Sequence, residues 1–246
     1  MVRATSARRT TRDDIPIAQR SKPRRAKTSG GALFFACLML FAGTGVSVIL
    51  GGPELLARFN QPLELDNILD RPSADGRLLG HFPYQEAAFE DLLEAQSGIE
   101  LHIDAADALH SMQAAAAAEG INLRLLSGFR SHQLQERIFF DVKSERNQTA
   151  AERAKVSAPP GYSEHSTGYA IDLGDGSAPE TNLSVEFENT PSFRWLQDHA
   201  ASYHFTLSFP IDNQQGVSYE PWHWRFEGSA EALRQFEAAR QFAKAS

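Results

Sequence analysis

Residues able to bind a metal or to move a proton concentrate in three short segments of the 246-residue chain. The segments are 127–131 (Ser-Gly-Phe-Arg-Ser), 161–172 (Gly-Tyr-Ser-Glu-His-Ser-Thr-Gly-Tyr-Ala-Ile-Asp) and 220–224 (Glu-Pro-Trp-His-Trp). A hydrolytic zinc ion takes three ligands from His, Asp or Glu and keeps its fourth position for water. The pKa of that water falls to about 7, and a nearby carboxylate has to carry its proton to the leaving group. The three segments contain the residue types for both tasks.

His165, Asp172 and His223 are the candidate metal ligands, and Glu220 is the candidate base. His165 and Asp172 are seven residues apart, which would place them on opposite faces of one straight strand. They can share a metal only if the chain turns between them, and Gly168 permits such a turn. Asp172 would then project from a strand that begins near residue 169.

The third segment predicts how its histidine is directed. Trp222 and Trp224 fall on one face of an extended segment, so His223 points to the other face. We expect both tryptophans on the core side, with His223 directed toward a cleft. Pro221 keeps Glu220 out of the helical region. Glu220 is therefore expected in the lead-in turn, within reach of a metal-bound water.

Each of these residues also has a purely structural interpretation. Asp172 competes with Asp175, because both lie in a Gly-rich turn. His223 could belong to an aromatic cluster, Glu220 could be a solvated turn carboxylate, and Arg130 could be a surface charge or an ion-pair partner. The other histidines are expected to be structural or exposed: His81, His102, His110, His132, His199 and His204. The co-occurrence of all the parts favours the metal site.

Periodicity and capping residues predict a mixture of helices and strands. Helices are expected over 105–119, 131–146, 190–201 and 229–243, with Gly120 as a stop, Ser131 as a cap and Thr190-Pro191 as a start. On the second helix, Leu134, Ile138 and Phe139 should face the core. Strands are expected over 121–125, 169–173, 204–209 and 222–226. Helices and strands do not alternate regularly, so we predict an α+β fold with a small, mainly antiparallel sheet flanked by helices.

The same segments strongly resemble the VanY-type zinc D-alanyl-D-alanine carboxypeptidases, a group that includes related D,D-dipeptidases and L,D-carboxypeptidases. The resemblance rests on Ser-Gly-Phe-Arg-Ser with Gln135 four residues beyond Ser131, on Ser-Glu-His-Ser-Thr-Gly-Tyr-Ala-Ile-Asp, and on Glu-Pro-Trp-His. It covers about residues 78–228, in the family's order. Phe129 stands where many members carry Tyr, while the neighbouring Arg is retained.

The resemblance implies an α+β domain with a single zinc cleft and one catalytic Zn²⁺. It assigns His165, Asp172 and His223 as the ligands, which selects Asp172 over Asp175, and Glu220 as the catalytic base.

The resemblance also implies a substrate site and a reaction. Arg130 would stabilise the oxyanion or hold the substrate, since its planar fork of donors suits both roles. Gln135 and Ser163 would line the substrate site. The implied reaction removes the C-terminal D-alanine from peptidoglycan stem peptides.

Charge divides the chain into two parts. Residues 1–30 hold nine Lys or Arg and two Asp, which gives them a net charge of +7. Because the whole chain has a net charge of −7, residues 31–246 carry −14. Residues 31–52 contain no charged residue, and a helix of roughly 20 apolar residues spans a bilayer. The preceding basic cluster places the N-terminus in the cytoplasm. We therefore predict a disordered basic tail (1–30), a transmembrane anchor (31–52), a tether (53–77) and a zinc D,D-carboxypeptidase domain (78–246).

This topology predicts a single-pass protein of the inner (plasma) membrane with its catalytic domain on the periplasmic or extracytoplasmic side. An uncleaved anchor is favoured over a cleaved signal peptide, because cleaved signals usually have a shorter apolar region of about 7–15 residues. Nucleic-acid binding by the basic tail is the disfavoured alternative. The only cysteine, Cys37, lies in the apolar run, so the exported domain has no disulfide. We expect a monomer.

Rival functions leave different signatures. A serine D,D-peptidase needs a Ser-x-x-Lys pair, and no lysine of this chain has Ser three residues before it. A non-catalytic zinc-containing wall-binding module would be expected to lack the base or a ligand, and none is missing. L,D-carboxypeptidase activity on tetrapeptide stems uses the same machinery and stays open. Residues 140–160 are expected to shape the pocket.

Overall fold

Six strands and six α-helices follow one another along residues 71–245, the part of the chain that the computed structural model describes. The strands are β1 (Leu92–Gln96), β2 (Ile99–His102), β3 (Leu123–Ser127), β4 (Ala170–Asp175), β5 (Phe205–Leu207) and β6 (His223–Phe226). The helices are α1 (Ile103–Ala118), α2 (His132–Glu145), α3 (Ala150–Ala154), α4 (Pro191–His199), α5 (Ala230–Gln235) and α6 (Glu237–Ala245). Short 3₁₀ turns connect several of them.

The strands form two antiparallel sheets. β1 and β2 make a hairpin, and the four-stranded sheet has the order β3-β4-β6-β5. Every pairing among the described residues is antiparallel, which confirms the predicted α+β class. β4 is a central strand whose six residues are all buried. The two innermost strands, β4 and β6, therefore carry their side chains in protected surroundings.

Helix α1 packs the core through small side chains. Its buried residues are Ala105, Ala106, Leu109, Met112 and Ala116, which recur at helical spacing. The helix ends where the sequence predicted, because Gly120 adopts a φ of +77° just beyond its last turn. The core continues through aromatic residues of the sheet and the later helices, namely Tyr169, Phe187, Phe193, Trp224, Phe226 and Phe236.

The inward face of α2 differs from the prediction. Ser131 caps the helix by accepting a hydrogen bond from the Leu134 amide, as expected. The Leu134 side chain, however, is 37% exposed, and Gln135 is fully buried beside Phe139. Gln135 and Phe139 are four residues apart and share one face. A polar side chain takes the inward position because it has hydrogen-bond partners there, described below.

Other elements follow the sequence with shifted ends. The helix expected over 229–243 is divided at Phe236 into α5 and α6, and the strand expected over 204–209 is limited to Phe205–Leu207. Within residues 71–245, none of the helices has the length and apolar content to cross a bilayer. The predicted basic tail and transmembrane anchor fall outside the described residues.

Candidate metal centre

Strand pairing and one tight turn bring the three candidate ligands together. Antiparallel pairing of β4 with β6 places Asp172 directly opposite His223. His165 lies in the 3₁₀ turn Glu164–Thr167 that precedes β4. Gly168 ends this turn with a φ of +73°, and a Cβ there would lie 2.9 Å from the His102 backbone nitrogen. The chain therefore reverses between His165 and Asp172 as predicted, and the turn requires glycine.

The ligand atoms of this cluster are close enough to share one cation. His165 Nε2 lies 3.3 Å from Asp172 Oδ2, and His223 Nδ1 lies 3.1 Å from Asp172 Oδ1. The atoms that could bind a metal all lie within 4.8 Å of one another, and all three residues are buried. Ligands at zinc-binding distance in a tetrahedron are roughly 3.4 Å apart. The cluster therefore fits a zinc ion with two nitrogen ligands and one oxygen ligand.

Contacts on the far side of each imidazole fix which nitrogen faces the site. His165 Nδ1 lies 2.8 Å from the Gly128 carbonyl oxygen, while its buried Nε2 faces the Asp172 carboxylate at 3.3 Å without hydrogen-bond geometry. A ligating histidine usually donates its other ring N–H to a carbonyl or carboxylate. Nε2, which faces the other candidate ligands, is thus the atom that a metal would take. Burial, reinforced by the Arg130 charge, lowers the pKa of His165 to about 4, which leaves the imidazole neutral.

His223 is held between two carboxylates. Its Nε2 lies 3.0 Å from Glu164 Oε2, and its Nδ1 faces Asp172. Burial alone would lower the pKa of His223, but the hydrogen bonds to Asp172 and Glu164 raise it to about 10. Metal binding at Nδ1 would release the proton there, while Nε2–H continues to donate to Glu164.

Glu164 is the component of the site that the sequence analysis missed. Its buried carboxylate accepts hydrogen bonds from Ser208 Oγ at 2.5 Å and from Arg225 Nη1 at 2.9 Å, besides facing His223. Burial opposes its ionisation, but Arg225 and His223 lower the pKa of Glu164 far below its ordinary value. Part of the signal for this pair was present in the sequence. Arg225 is two residues after His223 and shares its strand face, which indicates a cation beside the cluster but does not identify the acid that pairs with it.

Glu220 lies in the turn before β6, as predicted. Its backbone N–H donates to the Phe209 carbonyl, and its own carbonyl accepts from the His223 N–H at 3.1 Å. The half-buried side chain lines the same cavity as the three candidate ligands. Burial raises the pKa of Glu220 to about 7. A carboxylate with that pKa can both accept and return a proton near neutral pH.

The raised pKa of Glu220 predicts a pH-dependent stability difference in metal-free protein. Between pH 4.5, its ordinary value, and about 7, the carboxyl is ionised in the unfolded chain and protonated in the folded one. The unfolded state then binds fewer protons, so stability falls as pH rises through this window. Glu220→Gln removes the effect. In denaturant unfolding, the free energy of unfolding of the variant should rise by about 3 kcal/mol relative to that of the wild type between pH 4.5 and 7. A constant difference across this window would refute the shift.

Arg130 reaches the centre from the segment after β3. Its Nη2 donates to Asp172 Oδ2 at 3.3 Å and its Nη1 to Gln135 Oε1 at 3.4 Å. Its backbone N–H donates to the His165 carbonyl at 3.2 Å. A bulge after Leu125 in β3 precedes this segment, and bulges of this kind redirect side chains near functional sites. Arg130 is thus directed at the candidate centre rather than at solvent.

Gln135 and Ser163, the two residues expected to line the substrate site, lie at different positions relative to the cavity. Gln135 does not line the cavity of about 380 Å³. It lies behind Arg130, and its Nε2 donates to the Ala158 carbonyl at 2.7 Å and to Ser157 Oγ at 3.2 Å. Gln135 thus contacts Arg130, which does line the cavity. Ser163 is buried and lines the cavity.

The positions of Asp175 and of the two tryptophans answer two further expectations. Asp175 lies at the far end of β4, where it accepts from the Ser177 amide at 2.7 Å and has a structural role. Trp224 packs in the core, as predicted, but Trp222 lines the cavity. Trp222 is also partly buried against this core, so the expectation of both tryptophans on the core side is confirmed in part for Trp222, which lies just before β6 begins at His223.

The site thus has the components of a metal-dependent hydrolase: a buried His-Asp-His cluster, a carboxylate with a raised pKa and an arginine directed at the cluster. The chain belongs to the VanY family, described as D-alanyl-D-alanine carboxypeptidase, whose family model matches residues 98–229. This match confirms the resemblance that the sequence motifs indicated.

Similar proteins extend the same likeness. YodJ of Bacillus subtilis, which carries a carboxypeptidase name, is 36% identical over 153 residues, covering 61% of this chain and 54% of that protein. The chain therefore spans about half the length of this relative. The structure of the LdcB LD-carboxypeptidase is 30% identical with a TM-score of 0.51, covering 66% of this chain and 75% of that one. VanYB in complex with D-alanine-D-alanine is 26% identical with a TM-score of 0.51, covering 67% and 88%.

Proposed function

We propose that the chain is a zinc-dependent D-alanyl-D-alanine carboxypeptidase that removes the C-terminal D-alanine from peptidoglycan stem peptides. The observation that carries this proposal is the convergence of the His165, Asp172 and His223 ligand atoms within 4.8 Å. Glu220 lines the same cavity. Membership of the VanY family supports the reaction class, and the VanYB structure holds D-alanine-D-alanine.

His165, Asp172 and His223 would hold the zinc, because an imidazole and carboxylate donor set in a buried three-ligand site suits this ion. When bound, zinc supplies Lewis acidity to the scissile carbonyl and acidifies the attacking water. Glu164 and Gly128 orient the two imidazoles from behind. Such supporting contacts typically change metal affinity by about 10–100-fold.

The chain's own residues then move the proton and stabilise the charge. Glu220 accepts a proton from the attacking water and returns it to the departing amine nitrogen as the peptide bond breaks. Arg130 donates hydrogen bonds to the oxygen on which negative charge develops. Its fork is held by Gln135 and Asp172, so this donor is oriented before substrate arrives.

Two alternatives remain distinct from this proposal. The likeness to the LdcB LD-carboxypeptidase favours an L,D-carboxypeptidase acting on tetrapeptide stems as the second candidate. A non-catalytic wall-binding module would retain zinc without turnover. It is disfavoured because the base and all three ligands are present and adjacent.

Mass spectrometry of defined stem peptides tests the function. Pentapeptide stems incubated with zinc-loaded protein are expected to lose one D-alanine, while tetrapeptide stems remain intact. Loss of D-alanine from the tetrapeptide alone would establish L,D-specificity. The absence of cleavage in both peptides, with zinc bound, would leave the binding module as the function.

We further propose that residues 31–52 anchor the protein in the inner membrane as a single pass, with the catalytic domain outside the cytoplasm, and that it acts as a monomer. The uncharged run after a basic cluster supports the anchor and its orientation. A catalytic domain anchored outside the cytoplasm would lie beside the peptidoglycan that carries the stem peptides. Carbonate extraction of membranes from cells expressing the full chain tests the anchor, because an integral protein stays in the pellet.

A further inference from the structure

Arg153 is a buried cation without a counter-ion. It lies in the short helix α3, is 7% exposed and lines the cavity of the candidate centre. Its Nη2 donates to the Ile138 carbonyl at 3.3 Å, and its buried Nε has no hydrogen-bond partner among the described residues. It makes no ion pair with any residue of the described chain. Buried charges are ordinarily paired because desolvation is costly.

The surroundings of Arg153 add positive charge instead of neutralising it. Arg146 and Arg130 line the same cavity. Burial lowers the pKa of Arg153, and the charges of these two arginines lower it further. Of the acids that line the cavity, Asp172 pairs with Arg130 and Glu164 with Arg225, while Glu220 forms no ion pair with Arg153. Arg153 therefore has no anionic partner among the described residues.

The segment that carries Arg153 is held in place. A capping box between Thr149 and Glu152 starts α3. The carbonyl of Ala154 lies 2.7 Å from His81 Nε2, and the carbonyl of Lys155 accepts from the Ser218 N–H at 2.8 Å. Arg153 is thus presented from a fixed support, as a preorganised binding site requires.

We propose that Arg153, assisted by Arg146, binds the C-terminal carboxylate of the peptide substrate; this inference rests on the proposed carboxypeptidase function. A guanidinium fork matches a carboxylate with two parallel hydrogen bonds. A carboxypeptidase breaks the amide bond that precedes the last residue of its substrate, and the terminal carboxylate belongs to that last residue. The carboxylate therefore lies one residue beyond the scissile carbonyl, whose oxygen would face Arg130. A cation at that position selects peptide ends over internal bonds. A free carboxylate further up the stem is the other source of the same chemistry.

A pair of peptides that differ only at the terminus tests the assignment. Diacetyl-L-lysyl-D-alanyl-D-alanine has no carboxylate except the terminal one, and its C-terminal amide has none. The zinc-loaded wild type is expected to prefer the acid by about 100-fold in kcat/KM, the scale of an unpaired buried charge. Arg153→Gln should lose this preference by slowing the acid while leaving the amide unchanged. Arg153→Lys should retain part of it.

Matched variants separate this role from a structural one. Arg124→Gln removes an exposed arginine on β3 outside the cavity and should keep the full preference. If Arg153→Gln proves unstable by thermal melting, the exposed Arg146→Gln should still reduce the preference several-fold. An Arg153→Gln variant that retains the 100-fold preference overturns the assignment. The assignment is also overturned if Arg153→Gln loses activity only on stem peptides that carry a free carboxylate before the lysine. That result would mean that Arg153 binds this upstream carboxylate and not the terminal one.

Binding measurements keep the inference testable if catalysis fails. Calorimetry on Glu220→Gln protein should show D-alanyl-D-alanine binding more tightly than its amide, and Arg153→Gln in that background should equalise the two. Equal affinities with Arg153 present would overturn the carboxylate site. Wild type that hydrolyses neither peptide would instead refute the proposed function, while the calorimetric preference still decides the role of Arg153.

Discussion

Glu220→Gln is expected to lower kcat/KM for D-alanine release by about 1000-fold, within the usual range for loss of a general base, while zinc content stays at that of the wild type. Glutamine has nearly the same shape but cannot accept the proton of the attacking water. Glu220 lies outside the cluster formed by His165, Asp172 and His223, so its replacement should leave the ligands in place. Peptidase kinetics and metal analysis on the same preparation measure both quantities.

Glu136→Gln is the matched control, because it makes the same change at an exposed position on α2. It should retain wild-type rates. If Glu220→Gln turns over substrate at the wild-type rate, Glu220 is not the base. If the variant instead loses zinc, Glu220 belongs to the ligand set and another group must carry the proton.

Removal of the metal is expected to abolish hydrolysis to below detection, and added zinc should restore it. The reason is that none of the described residues lining the cavity supplies a Lewis acid, and Glu220 is expected to deprotonate only a water that the metal has acidified. Dialysis against a chelator, followed by titration with zinc while D-alanine release is followed, measures the dependence. Half of full activity should return at about half an equivalent of tightly bound zinc.

A β-lactam serves as the control for serine chemistry. It should leave the rate unchanged, because the chain has no Ser-x-x-Lys nucleophile pair. Full activity in protein shown to be metal-free, or stoichiometric inactivation by the β-lactam, would contradict the metal assignment.

The sequence predicts the local part of the ligand cluster, while the strand pairing that joins Asp172 to His223 spans 51 positions and has no local signal. Gly168 marks the turn that joins His165 to Asp172, and the strand alternation around His223 gives its direction. The helix starts at Ser131 and Thr190 were also predictable, since each depends on a side chain capping its own helix.

The missed features depend on contacts between segments distant in sequence. The Glu164–Arg225 pair joins residues 61 positions apart, and no periodicity connects them. The burial of Gln135 depends on residues 22 and 23 positions away. An apolar pattern favoured Leu134 as the inward residue, but a polar side chain with partners on two segments is stable in the interior. Arg153 lies in the segment 140–160 that was expected to shape the pocket, but its own role was not predictable, because the described residues contain no counter-ion for it.

The supporting contacts around the cluster affect the order of two steps, the folding of the domain and the binding of its metal. Gly128 orients one imidazole, Glu164 orients the other and Arg130 restrains the Asp172 carboxylate, and none of these contacts involves the ion itself. Unlike a zinc finger, whose chain collapses only around its metal, this domain can complete its tertiary structure first and acquire the cation as a last step. Its purified form should therefore be open to exchange with cobalt or cadmium as spectroscopic reporters, without a cycle of denaturation.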